Sequence, residues 1–410
     1  MKKTLYAIAL AGLGFGTTLT AAAQGTRDKE VRQPVVRGGT DELPERSCAS
    51  MEVLAAQMAA DPAMGQRMAN IEAHTRSFVA NAAGRRTTAT TPITIPVVVH
   101  VVYNTAAQNV SDQAIANQIA VLNQDFGKTN TDASLTPGIY AGLASSVNVR
   151  FSLAQVVRRQ TKTSSFSSND AVKITKRGGS DPVSPEKYLN LWVCNLGGGL
   201  LGYAQFPGGP RATDGVVVLY SSLPNGTAAN YNLGRTATHE VGHWLNLRHI
   251  WGDATCGNDY VADTPTQQTS NGGCPAFPKI TCNNQGDMSM NYMDYTYDKC
   301  MYMFTAGQAA RMEAVFAAGG PRASMVTAST TASVTKTSAY PNPATDVLNI
   351  GTRTSERATV TVYDIHGQVM RGARYDAATG QVHVENLNKG LYRLTITDGE
   401  QVTQQSFVKE

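Results

Sequence analysis

Charged side chains, histidine and long apolar runs are all scarce in this chain of 410 residues. Charged residues make up only 16% of it, and the net charge of +4 is spread without a Lys/Arg cluster, so no nucleic-acid partner is predicted. No apolar run reaches the roughly 20 residues that a membrane-spanning helix needs, so no membrane span is predicted. The hydrophobic share of 42% suffices for a sizeable core, and the length indicates more than one domain.

The N-terminus has the features of a secretory signal peptide. Lys2 and Lys3 precede an apolar stretch at 5–15, and three alanines at 21–23 form a small-residue cleavage site. A transmembrane anchor is the alternative, but the apolar stretch is too short for one. We therefore predict that residues 1–23 are a signal peptide and that the mature protein is exported, where disulfides are permitted.

Shifts in composition divide the rest of the chain into four segments. Residues 24–88 are polar and end close to the dibasic pair Arg85-Arg86, and residues 89–325 alternate strands with amphipathic helices, which predicts an α/β domain. Residues 326–337 are rich in Ser, Thr and Ala, as flexible linkers are. Residues 338–410 show the period-two alternation of β-strands, which predicts a separate all-β sandwich.

Hydrophobic patterns place individual elements in these segments. The near-continuous apolar run from Ile93 to Tyr103 predicts a strand that is buried on both faces. Ser111 is suited to cap a helix in which four apolar residues recur at helical spacing: Ile115, Ile119, Leu122 and Phe126. Further strands are predicted at 147–157, 189–195 and 215–220, and a further helix at 51–68.

Three of the seven histidines fall within eleven residues, in THEVGHWLNLRHIW. His239 and His243 are four residues apart, so on a helix they share a face and can bind one metal ion. His249 can join them only if the helix ends and the chain bends back, and Asn246 tolerates the left-handed conformation that such a bend needs. The pattern predicts a zinc site with three neutral imidazoles and an open position for water. A chance grouping of histidines is the alternative.

Glu240 directly follows the first of these histidines. Zinc with three neutral ligands lowers the pKa of a bound water to about 7. Glu240 is placed to take the proton of this Zn-activated water as a general base and to return it to the leaving amine. The constellation therefore predicts zinc-dependent peptide-bond hydrolysis.

The segment HEVGHWLNLRH resembles the extended zinc signature of the metzincin metalloproteases. Together with the segments at 291–295 (NYMDY) and 194–198 (CNLGG), it most resembles the pappalysin family, particularly its small ulilysin-like bacterial members, over residues 89–320. One departure is Asn246, where the family has glycine. The resemblance implies a metzincin-like α/β (α+β) catalytic domain with a mixed sheet and an active-site helix, acting as a secreted zinc endopeptidase on protein or peptide substrates.

The resemblance also implies roles for single residues. Met293 would pack beneath the metal, Tyr295 would hydrogen-bond the tetrahedral intermediate or the metal, and residues 199–203 (GLLGY) would form the edge strand that pairs with substrate, instead of an ordinary loop. Asp298 would lie in the pocket for the residue just after the cut and favour Arg over Lys through two parallel hydrogen bonds. The alternative is a solvated turn residue neutralised by Lys299.

Four of the six cysteines follow the histidine cluster and allow three pairings. The resemblance favours Cys256 with Cys282 and Cys274 with Cys300. Cys194, in a predicted strand, is interpreted as a small buried thiol.

Cys48 lies unpaired in the polar segment 24–88. A thiolate can occupy the open zinc position and displace the catalytic water. The resemblance implies that this segment is a pro-segment with such a cysteine switch and that the enzyme is made as a latent zymogen; a bystander thiol is the alternative. Self-cleavage before arginine could set the boundaries of the enzyme at three bonds: Gly84–Arg85, Arg85–Arg86 and Pro321–Arg322.

Two further assignments concern calcium and export. Asp259, Asp263 and Thr264 offer hard oxygens suited to Ca²⁺, which related proteases bind in this loop; a solvated acidic turn is the alternative. The YPNP opening and the Gly-Leu-Tyr run of residues 338–410 resemble the C-terminal sorting domains of Bacteroidota cargo of the type IX secretion machinery, with an immunoglobulin-like adhesion module as the alternative. For the whole chain, the alternative is a non-catalytic surface adhesin on a zincin-like scaffold, which would not need Glu240.

Overall fold

The computed structural model describes residues 46–82, 92–326, 339–350, 359–364, 369–398 and 401–410. The predicted signal peptide, the dibasic pair and all but the first residue of the predicted linker lie outside these residues. The helices are α1 (Ser50–Ala60), α2 (Met64–Ala82), α3 (Asp112–Phe126), α4 (Gly138–Ala141), α5 (Arg235–Trp244) and α6 (Ala306–Ala314). The strands up to the linker are β1 (Ile93–Tyr103), β2 (Ala144–Ser145), β3 (Val149–Gln160), β4 (Leu189–Cys194), β5 (Gly202–Ala204), β6 (Val216–Leu219) and β7 (Phe304–Thr305).

A five-stranded mixed sheet organises the α/β segment, with the strand order β3-β1-β4-β6-β5. The first four strands are parallel to their neighbours, and β5 is an antiparallel edge strand. Helices α3 and α5 pack on one face of this sheet, and the other face is covered in part by Val53 of α1 and by Phe166 and Val172. Because both faces are covered, β1 is nearly continuously apolar, as its sequence predicted.

The helix that follows β1 also agrees with its sequence pattern. Ser111 accepts a hydrogen bond from the Ala114 amide at 3.2 Å and caps α3, whose four recurring apolar residues are all buried. This helix packs against α5, so it supports the helix that carries the histidine pair.

The prediction of a single helix at 51–68 is wrong, because α1 ends at Ala60 and a second helix, α2, begins at Met64. Pro62 has no amide hydrogen to continue the hydrogen-bond ladder of α1. The side chain of Asp61 accepts a hydrogen bond from the Ala63 amide at 3.0 Å, which turns the chain into α2. Two separate helices result.

In the described residues of the C-terminal segment, all strands pair in the antiparallel direction. These are β8 (Ala339–Tyr340), β9 (Val347–Ile350), β10 (Thr359–Tyr363), β11 (Arg374–Asp376), β12 (Gln381–His383), β13 (Gly390–Asp398) and β14 (Gln401–Lys409). They form one sheet in the order β10-β13-β14 and another in the order β11-β12-β9-β8. The two sheets share an apolar core that includes Leu348, Leu394 and Phe407. In the part of the chain that the structure describes, no helix has the length and apolarity to cross a membrane.

Candidate metal centre and substrate cleft

Helix α5 carries His239 and His243 on one face and ends one residue after the second histidine. Asn246 then adopts the left-handed conformation, with φ of 75°, as predicted for the bend. The amide of Leu247 donates to the carbonyl of Gly242 at 2.9 Å and closes the helix end. This turn returns the chain toward the helix and brings His249 beside the other two imidazoles.

The three imidazoles converge through their Nε2 atoms. His243 Nε2 lies 3.2 Å from His239 Nε2 and 3.1 Å from His249 Nε2. Each Nδ1 faces an acceptor, and burial lowers the pKa of His239 and His243, so these two rings are neutral, with the proton on Nδ1. Unprotonated nitrogens cannot hydrogen-bond one another, so this arrangement fits a shared cation, and three imidazoles are a ligand set typical of zinc.

Cys48 completes a cluster of four donor groups with these histidines. The four ligand atoms all lie within 4.8 Å of one another, and all four residues are buried. Burial and the neighbouring Glu240 raise the pKa of the Cys48 thiol, so a thiolate here requires a cation beside it. Nitrogen and sulfur donors in a cluster of four fit tetrahedral zinc.

Glu240 is buried next to this cluster. Its Oε2 accepts hydrogen bonds from Ser50 Oγ at 2.8 Å and from Cys48 Sγ at 3.4 Å. Burial raises the pKa of Glu240 to about 7, which suits a group that takes up and returns a proton near neutral pH. Sequence reasoning missed Ser50, because a lone serine two residues after a cysteine carries no distinguishing pattern.

Met293 and Tyr295 flank the histidines from the following turn. Met293 is fully buried below α5, and a Cβ on Gly242 would lie 2.5 Å from its Sδ, so only glycine fits at this contact. The hydroxyl of Tyr295 lies 3.2 Å from His249 Nε2 and 3.4 Å from the carbonyl oxygen of Cys48. The turn therefore places the phenol at the edge of the cluster.

The edge strand of the sheet lies one to three residues further on than the sequence placed it, at Gly202–Ala204. The pro-segment pairs with it in parallel, through a bridge between Cys48 and Gly202. Ser47 accepts from the Leu201 amide at 2.9 Å, and the Ala49 amide donates to Gly202 at 3.2 Å. The pro-segment thus covers the edge that an extended substrate would need.

Asp298 is fully buried, so the alternative of a solvated turn residue is wrong. Its Oδ1 accepts from Arg46 Nη2 of the pro-segment at 2.5 Å. Its Oδ2 accepts from the amides of Leu233 and Arg235 at 2.9 and 3.2 Å. Because one oxygen is held by the backbone, the guanidinium binds the other alone, and the two parallel hydrogen bonds expected from the sequence do not form. The guanidinium also lies 5.1 Å from the ring centre of Tyr231.

Arg46 gains two weaker hydrogen bonds in this pocket. Its Nη1 donates to Thr236 Oγ1 at 3.3 Å, and its Nε donates to the Thr296 carbonyl at 3.4 Å. Sequence reasoning missed Arg46 and Tyr231 as pocket residues. The sequence did offer one signal for Arg46: it lies two positions before Cys48, and its positive charge is the one predicted for a side chain that binds Asp298.

A second contact of the pro-segment lies on α6. Glu72 of α2 accepts from Arg311 through both carboxylate oxygens, at 3.1 and 2.8 Å. His74 Nε2 lies 2.9 Å from the Ala314 carbonyl, and Asn246 Nδ2 donates to Thr75 Oγ1 at 3.3 Å. Helix α2 is therefore anchored on α6 and at the bend that follows α5.

The cysteines outside the cluster are paired or buried. Cys256 is bonded to Cys282 and Cys274 to Cys300, which is the pairing that the resemblance favours. Cys194 is a buried free thiol in β4, as predicted.

The loop with the candidate calcium residues divides into two parts. Asp259 accepts from Thr264 Oγ1 at 2.9 and 3.0 Å, and burial raises its pKa to about 6. Asp263 turns instead toward α6, where it accepts from Thr305 Oγ1 at 2.7 Å and from the Gly307 amide at 2.8 Å. The structure brings Asp259 and Thr264 together and places Asp263 apart from them.

The bond between Pro321 and Arg322 is unsuited to self-cleavage in the folded protein. Arg322 is buried, forms hydrogen bonds to both oxygens of Asp214 at 2.7 and 2.9 Å, and lies 3.7 Å from the ring centre of Trp244. A protease pocket could not receive this side chain without unfolding around it. The other two proposed bonds lie outside the described residues.

Comparisons with known proteins agree with this site. Residues 178–317 match a family described as pregnancy-associated plasma protein-A, and residues 338–410 match a secretion system C-terminal sorting domain. "Extracellular metalloprotease 1" of Coccidioides posadasii is 35% identical over 237 residues, which are 55% of this chain and 77% of the relative. The chain belongs to the pappalysin family of metalloproteases.

Solved structures of mirolysin are similar to this pappalysin. Mature mirolysin of Tannerella forsythia, in complex with a cleaved peptide, is 50% identical; the match covers 58% of this chain and 96% of mirolysin, with a TM-score of 0.57. A glutamate-to-alanine mutant of promirolysin is 44% identical. The match covers 70% of this chain and 99% of promirolysin, with a TM-score of 0.63. This pappalysin is a secreted or cell-surface metalloendopeptidase of the Bacteroidota, with a promirolysin-like pro-segment and a C-terminal sorting domain.

Proposed function

We propose that this pappalysin is a zinc endopeptidase that cuts before basic residues, with a preference for arginine, and that its pro-segment keeps it latent. The contact of Arg46 with Asp298 beside the histidine cluster is the observation that carries the proposal. A buried carboxylate whose other oxygen is held by two amides cannot move toward a shorter side chain. The Tyr231 ring and the acceptors around the guanidinium favour the planar, five-donor head of arginine over lysine.

In this proposal His239, His243 and His249 hold zinc in the active enzyme, and Cys48 is the fourth ligand in the latent form. When bound, zinc supplies the Lewis acidity that activates water and polarises the scissile carbonyl. Glu240 takes the proton of the attacking water at its carboxylate and passes it to the amine that leaves. Tyr295 donates its hydroxyl hydrogen to the oxyanion that develops at the carbonyl, and Met293 supports the histidines from below.

Latency follows from the direction of the pro-segment. The Asp298 pocket receives the residue that follows the cut, whereas Arg46 precedes Cys48 in the chain. The backbone therefore crosses the cleft in the direction opposite to that of a substrate, consistent with its parallel pairing to β5. Ser50 adds a hydrogen bond to Glu240, so the general base is engaged as well as the metal position.

We also propose a calcium site in the disulfide-bonded loop, with Asp259 and Thr264 as contributing residues; Asp263 is excluded, because its carboxylate is bonded at the start of α6. The hydroxyl of Thr264 lies 2.9 and 3.0 Å from the two carboxylate oxygens of Asp259, so hard oxygen donors are grouped there. The sorting domain indicates the type IX secretion machinery as a partner of the precursor. We further propose the boundaries 24–88 for the pro-segment and 89–325 for the catalytic domain, with a linker at 326–337.

The substitution Glu240→Ala tests the catalytic assignment. Activity of the mature enzyme should fall by about 100- to 10,000-fold, because proton transfer is lost, while zinc content stays that of the wild type. Peptide hydrolysis and metal analysis measure the two effects. Full activity in the zinc-loaded variant would remove Glu240 from the mechanism, and loss of zinc in His249→Ala is the matched control for the ligand set.

A further inference from the structure

The three histidines of the cluster differ in what holds their Nδ1 atoms. His239 and His243 donate to the backbone carbonyls of Tyr292 and Leu247, at 2.7 and 2.8 Å. His249 instead faces a carboxylate, because its Nδ1 lies 2.5 Å from Asp253 Oδ1. Only one of the three imidazoles therefore has an anionic partner.

The chain between His249 and Asp253 is folded in an uncommon way to make this contact. The Gly252 amide donates to the His249 carbonyl at 2.9 Å, and Gly252 and Asp253 have φ values of 65° and 56°. A Cβ on Gly252 would lie 2.2 Å from the Asn258 nitrogen, so the turn requires glycine there. A non-glycine residue in the left-handed region is uncommon, and such positions are retained where the surrounding structure uses them.

The third histidine also has the greatest need of external support. His239 and His243 are fixed by one helix, whereas His249 lies beyond the bend at Asn246, outside regular structure. The Trp251 ring stacks on its imidazole, with centroids 4.4 Å apart and an interplanar angle of 6°. Trp251 thus restrains the plane of the ring, and Asp253 restrains its rotation within that plane.

We propose that Asp253 is a positioning residue for zinc: it fixes the tautomer and orientation of His249 and makes this imidazole a more basic ligand through its negative charge. This inference rests on the proposed function, in which His249 binds zinc. A carboxylate behind a metal-binding histidine typically contributes 10- to 100-fold to metal affinity. The motif is His249-Ile-Trp-Gly-Asp253, so it lies directly after the zinc signature in the sequence.

Two substitutions separate the charge from the turn. Asp253→Asn keeps an acceptor and a residue that tolerates positive φ, but removes the charge. Asp253→Gly also tolerates positive φ and removes the acceptor altogether. Asp112→Asn is the matched control, because it removes one exposed carboxylate that pairs only with Arg158 among the described contacts.

The measurement is zinc retention by the full-length precursor in graded chelator, together with the visible spectrum of the cobalt-substituted protein. We expect about 10-fold weaker zinc binding in Asp253→Asn, a larger loss in Asp253→Gly, shifted cobalt bands in both, and wild-type behaviour in Asp112→Asn. Wild-type zinc retention in both Asp253 variants would overturn the inference.

Two controls keep the outcomes distinct. Thermal unfolding of the metal-stripped proteins checks the fold. If Asp253→Gly is destabilised without metal, zinc retention by Asp253→Asn alone decides the test. If His249→Ala also retains zinc, the proposed ligand set is wrong. If only His249→Ala loses zinc, the ligand set stands and the inference about Asp253 fails.

Discussion

Arg46, Cys48 and Ser50 form three consecutive contacts of the pro-segment at alternate positions. Arg46 meets Asp298, Cys48 joins the histidines, and Ser50 bonds Glu240 while accepting from the Ala204 amide at 2.7 Å. Arg46 and Cys48 alternate along the stretch that pairs with the sheet edge, so their side chains point the same way. Ser50 begins α1, and its hydroxyl reaches Glu240 from the first turn of that helix.

Removal of the thiol tests this arrangement. The Cys48→Ala precursor should become active early or degrade itself, because water can then take the metal position. Ser50→Ala should leave the metal blocked and give a smaller loss of latency, since the thiol stays and the hydroxyl's hydrogen bonds with Glu240 and the Ala204 amide are lost. The time course of activity after purification measures both effects.

Ser47→Ala is the matched control for these variants. The backbone carbonyl of Ser47 accepts from the Leu201 amide just before β5, and Ser47→Ala keeps this carbonyl, so the latency of the variant should equal that of the wild type. A Cys48→Ala precursor as latent as the wild type would show that the thiol is not the blocking ligand.

Sequence patterns predicted the residues whose contacts are local. The helical spacing of His239 and His243 and the left-handed preference of asparagine at Asn246 both act within a few residues. Arg46 and Asp298 are 252 positions apart, and no local pattern relates them. The same limit applies to Asp263, whose role at the start of α6 depends on an element 44 positions further on.

At the scale of elements, helix α2 gives the pro-segment a second attachment. The Glu72–Arg311 pair and the His74 contact lie on α6, and Thr75 contacts Asn246 at the bend after α5. Strands β1, β3, β4 and β6 and helix α3 were predictable from periodicity and capping, but the break between α1 and α2 depends on Pro62, which the 51–68 prediction passed over. That break lets α1 follow the cleft while α2 turns onto α6.

We therefore expect the pro-segment to inhibit in trans after its release. A peptide of residues 24–88 should inhibit the mature enzyme, and Glu72→Gln should weaken its inhibition constant by about tenfold, because Arg311 loses a charge-assisted pair. Arg76→Gln, which alters an exposed side chain of α2, is the control and should inhibit as the wild type does. Equal inhibition by the Glu72 variant would show that the α6 contact adds nothing to binding.

The disulfide-bonded loop is the element in which calcium would act. We expect chelation of calcium to lower the thermal unfolding temperature of the mature enzyme and Asp259→Asn to remove most of that calcium dependence. Calorimetry at fixed zinc concentration measures the change. An unfolding temperature that does not respond to calcium would exclude a structural calcium site in this loop.

At the scale of the whole molecule, three functions lie in consecutive parts of the chain. Residues 46–82 contribute the contacts that block the cleft, residues 92–326 contain the mixed sheet and the metal centre, and the C-terminal strands match a secretion sorting domain. Shifts in composition and in hydrophobic periodicity predicted these divisions. The contacts between the pro-segment and the cleft arise only in the folded chain.

The most direct test of the account is a peptide-library digest by the matured enzyme, with and without a zinc chelator, and by its Asp298→Asn variant. The account predicts cuts directly before arginine, their loss on chelation and recovery with zinc. In the variant, the preference for arginine should fall by about 100-fold, because a buried charge pair is broken. Cuts with no basic residue after the bond, cleavage that survives chelation, or an unchanged preference in Asp298→Asn would contradict it.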